Sequence, residues 1–355
     1  MKKFDVIIIG SGVVGSSIAY HLSEYKEHEI LLIDKDFPLS GTSGSTQAWV
    51  WVHTKVPSWY GELSLYSAEL YPILEKKIGD VEYNRTGGIA PFFNEAEREK
   101  AYRLAEKQAE VGIDIKVLTK DEVLEMEPYL SSKIAGATFS KLDGAVNPFR
   151  PMELYVKSAR KNGVKKSYYN RVLDIVKSGN GYQVKTERGT FLTTKLILAG
   201  GPWSKDLGEL LGVHIPIKQV RGQIIITEPL QPFLKYTIGG IRQTVNGEVL
   251  IGYSKEEVGY DRRTTLDVIQ QTAKMAIDFI PALAEANIVR TFAGIRVMPL
   301  DELPILGQIP GLPGAFIAAM HSGITLSPIV GTLMAELLTE GETSLDITRY
   351  SLSRF

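Results

Sequence analysis

The sequence predicts an α/β protein of two interleaved domains, one on a largely parallel sheet and one on an antiparallel sheet. Three observations carry this reading. Four apolar runs, 6–9, 30–33, 196–199 and 315–319, are short, nearly continuous and bounded by turn residues. Strands buried on both faces of a parallel sheet look like that. The runs lie at the two ends and in the middle of the chain, so one domain is assembled from separated pieces. Between them, 217–228 and 248–253 alternate apolar and polar residues, as half-exposed antiparallel strands do. We therefore expect residues 1–80, 143–213 and 299–355 in the first domain and 81–142 and 214–298 in the second.

Composition supports an ordinary globular protein with a sizeable core: 355 residues, 44% hydrophobic and 23% charged. Forty basic side chains face 41 acidic ones, a formal net charge of -1. That balance gives no footing to a nucleic-acid partner, which needs a clustered basic excess. With no cysteine there is no disulfide, thiolate-ligated metal or catalytic thiol. Histidines 21, 28, 53, 214 and 321 show no i,i+4 pairing and no nearby acid cluster, so no metal site is expected.

From the start, Met1-Lys2-Lys3 leads directly into Phe4-Asp5-Val6-Ile7-Ile8-Ile9, which stops at a glycine. This reads as a buried strand; a signal peptide has a longer apolar stretch and a small-residue cleavage site. No run approaches the roughly 18 to 20 apolar residues that span a bilayer. A cytoplasmic protein with no integral membrane segment is expected, peripheral membrane contact being left open. The charged, helix-favouring stretch 94–110 reads as a solvated helix.

After the first strand comes Gly10-Ser11-Gly12-Val13-Val14-Gly15, a G-x-G-x-x-G, followed by a helical pattern through 16–22. The second strand ends in Asp34, with Lys35 beside it. Strand, glycine turn, helix and acid together form the Rossmann-type dinucleotide fingerprint. Gly10 permits the tight turn, Gly12 lets a pyrophosphate approach the backbone, and Gly15 allows close helix–strand packing. The helix start directs free N–H groups and partial positive charge at the phosphates. Asp34 can accept hydrogen bonds from a ribose hydroxyl. The segment Ser40-Gly41-Thr42-Ser43-Gly44-Ser45-Thr46 can serve a second phosphate and the polyol chain of a flavin, or be a surface loop.

Gly10–Gly15, Asp34 and the 42–45 loop resemble the D-amino-acid oxidase superfamily of FAD-dependent oxidoreductases, closest to glycine oxidases, sarcosine oxidases and the FAD subunits of proline-type dehydrogenases. The resemblance runs the whole chain. It includes Gly87-Gly88-Ile89, Asp143-Gly144-Ala145-Val146-Asn147-Pro148, Leu198-Ala199-Gly200-Gly201-Pro202-Trp203 and Arg221-Gly222-Gln223. Most specific are Ala293-Gly294-Ile295-Arg296 with Asp301-Glu302-Leu303-Pro304-Ile305-Leu306-Gly307, and 318–326 around His321. It implies a Rossmann-type FAD-binding domain, an interleaved substrate domain and non-covalent FAD. Attachment through cysteine is closed here, and attachment through His53 is not expected.

By the same resemblance Gly10, Ser11, Gly12, Val13, Val14, Gly15, Asp34, Lys35, Thr42, Ser43 and Ser45 would hold the FAD diphosphate and sugars. Val172, Gly200 and Trp203 would flank the adenosine half. Gly323, Ile324 and Thr325 would present backbone N–H groups to the pyrimidine edge of the ring, where a helix N-terminus stabilises the charge left by hydride arrival. Arg296 would grip a substrate carboxylate beside the flavin through a planar bidentate pair, or else bridge the domains. Arg242, Tyr253 and His321 are further catalytic candidates. For these, an inter-strand or surface arginine, a core tyrosine and a turn-shaping histidine are the structural alternatives.

The implied reaction is FAD-dependent oxidation of the C–N bond of a small amino acid or secondary amine of the glycine, sarcosine or D-amino-acid type. Hydride passes from Cα to flavin N5, with O2 as acceptor. The alternative is the FAD subunit of a proline-, hydroxyproline- or opine-type dehydrogenase that passes electrons to a partner protein or quinone. A non-amine substrate, such as a 2-hydroxy acid or glycerol 3-phosphate, and a flavin-stabilised assembly subunit without turnover are further readings. The partner expected throughout is a small-molecule amine or amino acid; a homo-oligomer and an electron-transfer partner subunit both stay open.

Overall fold

The protein is described by a computed structural model covering residues 1–355. Its first sheet runs in the order Ile305–Gln308, Ala315–Ala319, Gly189–Leu198, Lys2–Ile9, Ile30–Ile33, Lys165–Ser167. The four apolar runs lie side by side in its centre and pair parallel: Ile9 stands opposite both Leu198 and Ile33, and Leu198 opposite Ile317. Their unbroken apolar character has a direct cause. Val6 and Ile8 pack under helices Val13–Glu24 and Gly323–Thr339, whereas Ile7 and Ile9 face Ile175 and Val184 of the hairpin Val172–Ser178 and Gly181–Thr186 on the other side. Both faces are covered, so neither set of alternate residues can be polar.

The second sheet runs Ile288–Pro299, Ile217–Thr227, Val249–Ile251, Ile241–Gln243, Thr237–Ile238, Gly88–Phe92, Gly136–Ser140, Lys116–Thr119. It is antiparallel except where Thr237–Ile238 meets Gly88–Phe92. The strand Ile217–Thr227 is buried along most of its length, against the half-exposed alternation expected of 217–228. The reason is two-sided cover. Ile225, Ile241 and Ile251 pack with Ala276 and Ile280, at the end of helix Leu266–Phe279, while Gly222 and Ile224 face a large cavity. The long pair Ile217–Thr227 and Ile288–Pro299 ties the second sheet to the first, because Ile217 and Val297 belong to the same apolar cluster as Ile317 of the first sheet. The charged stretch forms helix Glu95–Ala109, with Asn94 accepting from the Glu97 N–H at its start. No helix is long and apolar enough to cross a membrane.

One helix contact sets the positions of both helix starts that matter below. Helix Gly323–Thr339 crosses Val13–Glu24 at Gly331, where an added Cβ would lie 2.2 Å from Ser17 Oγ and 2.5 Å from His21. Ser17 Oγ donates to the Ser327 carbonyl at 2.6 Å. Pro328 removes the N–H that would bond the Ile324 carbonyl; the Tyr71 hydroxyl donates to that carbonyl instead, at 2.5 Å. Filling such a contact forces helices apart and costs about 1–3 kcal/mol. Gly331→Ala is therefore expected to lower the denaturant midpoint without changing m. An unchanged midpoint would show that the two helices can separate freely.

Candidate active site

A cavity of about 1270 Å³ lies between the sheets, above the usual ligand-pocket range of about 300–1,000 Å³. Both uncapped helix starts open into it. Helix Val13–Glu24 follows Gly12, and Gly323–Thr339 follows Ser322, held at φ 60°; neither has a side-chain cap. Apart from the Val13 N–H, which Ser43 Oγ accepts, their first-turn N–H groups carry partial positive charge at two separate points of one cavity, an arrangement suited to an elongated ligand with an anionic group at each.

At one end Asp34 Oδ2 accepts from the Ser11 N–H at 2.6 Å and from Ser11 Oγ at 2.9 Å, and Oδ1 accepts from the Asp36 N–H at 2.9 Å. A carboxylate offers about four acceptor positions, so one remains for a ribose hydroxyl. Lys35 Nζ lies 3.5 Å over the Trp203 ring, which also stacks with Tyr260. Burial lowers the Lys35 pKa. Val172 and Gly200 line the same end.

The glycine turn divides its work. A Cβ on Gly10, at φ 111°, would meet the Ala199 carbonyl oxygen at 2.3 Å, and one on Gly15 would meet the Gly10 carbonyl oxygen at 2.0 Å. Those two glycines are required by the protein's own packing. A Cβ on Gly12 would meet only Ser43 Oγ, at 3.3 Å, and Gly12 faces the cavity. Gly15 and Ser11 do not line it; Ser11 is buried and spends its hydroxyl on Asp34. The hydroxyls of the following loop are also engaged within the protein. Thr42 Oγ1 donates to the Ile295 carbonyl at 2.6 Å, Ser43 Oγ accepts from the Val13 N–H at 3.0 Å, and Ser45 Oγ accepts from Arg262 at 3.5 Å. They fasten the loop to the start of helix Val13–Glu24 and to strand Ile288–Pro299 while still lining the cavity.

The far end holds Arg296, His321 and Tyr253. Arg296 Nη1 donates to the Ser254 carbonyl at 2.6 Å. No carboxylate pairs with it, and desolvation lowers its pKa. Its neighbour Arg221, by contrast, is neutralised by Glu256 at 2.6 Å and Asp261 at 3.0 Å. Gly222 gives Arg296 its room, since a Cβ there would lie 2.4 Å from Nη1. His321 Nδ1 meets Ser322 Oγ at 3.0 Å, and Lys55 Nζ donates to the same oxygen. Burial, then Lys55, Arg296 and Lys255, push the His321 pKa down to about 3. Tyr253 is 61% exposed at the mouth, which removes the core-packing alternative. Thr325 Oγ1 accepts from the Trp51 N–H and donates to the Trp49 carbonyl, each at 3.1 Å. Gly323 and Ile324 line the cavity beside it.

Arg242 is not brought to this end. It lines a second cavity, of about 1140 Å³, with Ser45 and Thr46 forming part of the wall of both. Ile241 points to the apolar cluster, so the next residue points to the opposite face, but on a strand too far along the sheet to reach Arg296. Burial pushes the Arg242 pKa down to about 10. His53 is fully buried, with Nδ1 against Asp143 and Nε2 3.0 Å from Thr138 Oγ1. Both ring nitrogens are occupied, so neither is offered to a flavin.

Sequence reasoning missed Lys55, Lys255, Asp143 and Tyr260. Asp143 lay inside a recognised motif, yet its role depends on accepting the Val52 N–H from a segment 91 residues away. The two lysines stand in no motif, and only the fold brings them to Arg296.

Residues 5–337 match the family of FAD-dependent oxidoreductases designated DAO. Hydrogen cyanide synthase subunit HcnC of Pseudomonas protegens is 31% identical, over 100% of this chain and 97% of its own. The crystal structure of glycine oxidase from Geobacillus kaustophilus superposes with a TM-score of 0.94 at 29% identity, covering 100% of both chains. That of L-proline dehydrogenase from P. horikoshii gives 0.94 at 27% identity, covering 100% of this chain and 98% of that one.

The division of labour among the glycines is open to test. Gly12→Leu is expected to purify folded but colourless, with a thermal midpoint near that of the parent apoprotein. Gly10→Ala is expected to lose several degrees in the same melt. A yellow Gly12→Leu protein would show that the diphosphate does not approach that backbone.

Proposed function

Because the chain belongs to the DAO family of FAD-dependent oxidoreductases, we propose that it oxidises the carbon–nitrogen bond of a small amino acid or secondary amine of the glycine, sarcosine or D-amino-acid type. The observation that carries this is the Arg296 guanidinium, turned to the cavity without a carboxylate partner beside the uncapped start of helix Gly323–Thr339. Arg296 is half-buried, and a largely desolvated cation left unpaired is costly unless a ligand completes it. A planar guanidinium grips a carboxylate through two parallel bonds.

FAD fits the residues present. Gly12 and the start of helix Val13–Glu24 would take the diphosphate, Asp34, held in place by Ser11, the ribose, and Val172, Gly200 and Trp203 the adenine. Val13, Val14, Lys35, Thr42, Ser43 and Ser45 would wall that half. Gly323, Ile324 and Thr325 would meet the pyrimidine edge of the ring. Bound FAD supplies a two-electron acceptor for the hydride on substrate Cα. The chain's own contribution is placement. Arg296 would fix the carboxylate, and with it the direction of the Cα–H bond. Tyr253 closes the mouth. Lys55, held on Ser322, adds positive charge where reduction leaves negative charge. His321 stays neutral and does not compete for the anion.

Two fates of the electrons are compatible with this site. Transfer to O2 gives peroxide and an imine that water hydrolyses. Transfer to a partner protein or quinone makes the chain a dehydrogenase subunit, a reading favoured by the similarity to a synthase subunit and to L-proline dehydrogenase.

Anaerobic mixing of the yellow protein with an amine and amino-acid panel, followed by air, tests both. Bleaching with rapid recolouring and peroxide is expected of the oxidase, and bleaching without it of the dehydrogenase. No bleaching by any amine would overturn the proposal. Arg296→Ala is expected to raise KM for a carboxylate substrate at least tenfold while FAD stays bound. With the His321 pKa at about 3 instead of 6.5, the ring is neutral above pH 5. The value of kcat/KM should then rise with pH as the substrate amine loses its proton, with no step near 6.5. A step there that His321→Gln removes would show a protonated ring.

A further inference from the structure

The substrate end of the cavity holds more positive charge than one carboxylate requires. Lys55, Lys255 and Arg296 all line it, and none forms an ion pair. The only carboxylates lining the cavity, Asp34 and Asp206, stand at the adenosine end, engaged with Ser11 and with Tyr260. Lys55 is spent on Ser322, at the start of the helix assigned to the ring. That leaves Arg296 and Lys255.

These two are neighbours by construction. The Ser254 carbonyl accepts from Arg296 Nη1 at 2.6 Å, and Ser254 Oγ accepts from the Gln223 N–H at 2.8 Å. Glu256, two residues on, pairs with Arg221. Ser254 and Glu256 therefore point to the sheet and are half-buried, whereas Tyr253 and Lys255 alternate with them, are exposed and line the cavity. Lys255 follows directly on the residue that anchors Arg296, so two cations of unlike geometry flank one volume. Arg296 offers a planar fork and Lys255 a mobile point charge on a long stem.

We propose that the substrate is a dianion, an amino acid or secondary amine bearing two carboxylates, with Arg296 on the carboxylate next to the oxidised carbon and Lys255 on the second. This rests on the amine-oxidation reading and narrows it. The second carboxylate takes no part in the chemistry. The C–H bond breaks with its electron pair passing to FAD, and the resulting iminium is hydrolysed to a carbonyl compound and an amine. Lys255 is a specificity residue: against a monocarboxylate its charge has nothing to meet, and against a dicarboxylate it adds a charge-assisted contact.

The test uses FAD-loaded enzyme and matched pairs differing by one carboxylate: sarcosine and iminodiacetate, alanine and aspartate, and 2-aminopentanoate and glutamate, both enantiomers of each chiral acid. The measured quantity is the anaerobic second-order rate constant of flavin reduction. At least one dicarboxylate is expected to exceed its partner tenfold or more. Lys255→Ala should cut that preference at least tenfold, and Lys255→Arg should restore most of it. A preference for the monocarboxylate in every pair, or a Lys255→Ala variant that slows both members equally, overturns the proposal and leaves amine oxidation standing. If no amine reduces the flavin, amine oxidation itself fails. Titration of the flavin band with succinate and butyrate then decides the charge question alone: tenfold tighter succinate supports a dianion site, and equal binding refutes it.

Discussion

Everything at the site depends on the contact between helices Val13–Glu24 and Gly323–Thr339. They come from opposite ends of the chain, and each begins uncapped at the same cavity. Gly331 brings their backbones together, and the Ser17 bond to the Ser327 carbonyl fixes their register. A helix terminus acts electrostatically only within about its first turn, so a slide of one turn along this contact would withdraw a partial charge from the cavity. Pro328 sharpens the requirement, because the carbonyl it leaves unbonded needs Tyr71 from a third helix, Ser58–Ile78. Three helices thus share one geometric solution, and the two cavity-facing termini are products of it.

The parallel core was legible because burial on both faces leaves a plain mark in sequence: Val6, Ile7, Ile8 and Ile9 are all apolar because every one is covered. The glycine turn was legible through its spacing: Gly15 answers to the nearby Gly10 carbonyl, whereas the Ala199 carbonyl that demands a glycine at position 10 comes from a distant segment. Ile217–Thr227 was misread as half-exposed because its second face is covered by elements of other segments, which no local pattern announces. Arg242 and Arg296 both stood as candidates, Arg296 on a specific motif and Arg242 on its place in a strand of the second sheet alone. What separates them is the Ser45–Thr46 wall, a product of tertiary arrangement. Lys255 was invisible for the same reason: its significance comes from Ser254 serving as the anchor of Arg296.

The two guanidinium groups of the bridging strands show how context assigns role. Arg221 is buried and matched by Glu256 and Asp261, so its charge is settled within the fold. Arg296 lies beside it, with only carbonyl oxygens for company. Carbonyl dipoles orient a cation without neutralising it. The protein therefore holds a charged, aimed and incompletely solvated group in place before any ligand arrives, and the orientation cost is met by folding.

The strand order also bears on how the chain is made. Ala315–Ala319 sits in the middle of the first sheet, against Gly189–Leu198. At synthesis rates of 5–20 residues per second, the interval between these strands lasts roughly 6 to 23 s. Throughout that time the growing chain carries an apolar strand edge with no partner, the type of surface that recruits other chains. The interleaved plan that gathers distant segments around one cavity thus leaves that edge without its partner strand until Ala315–Ala319 has emerged.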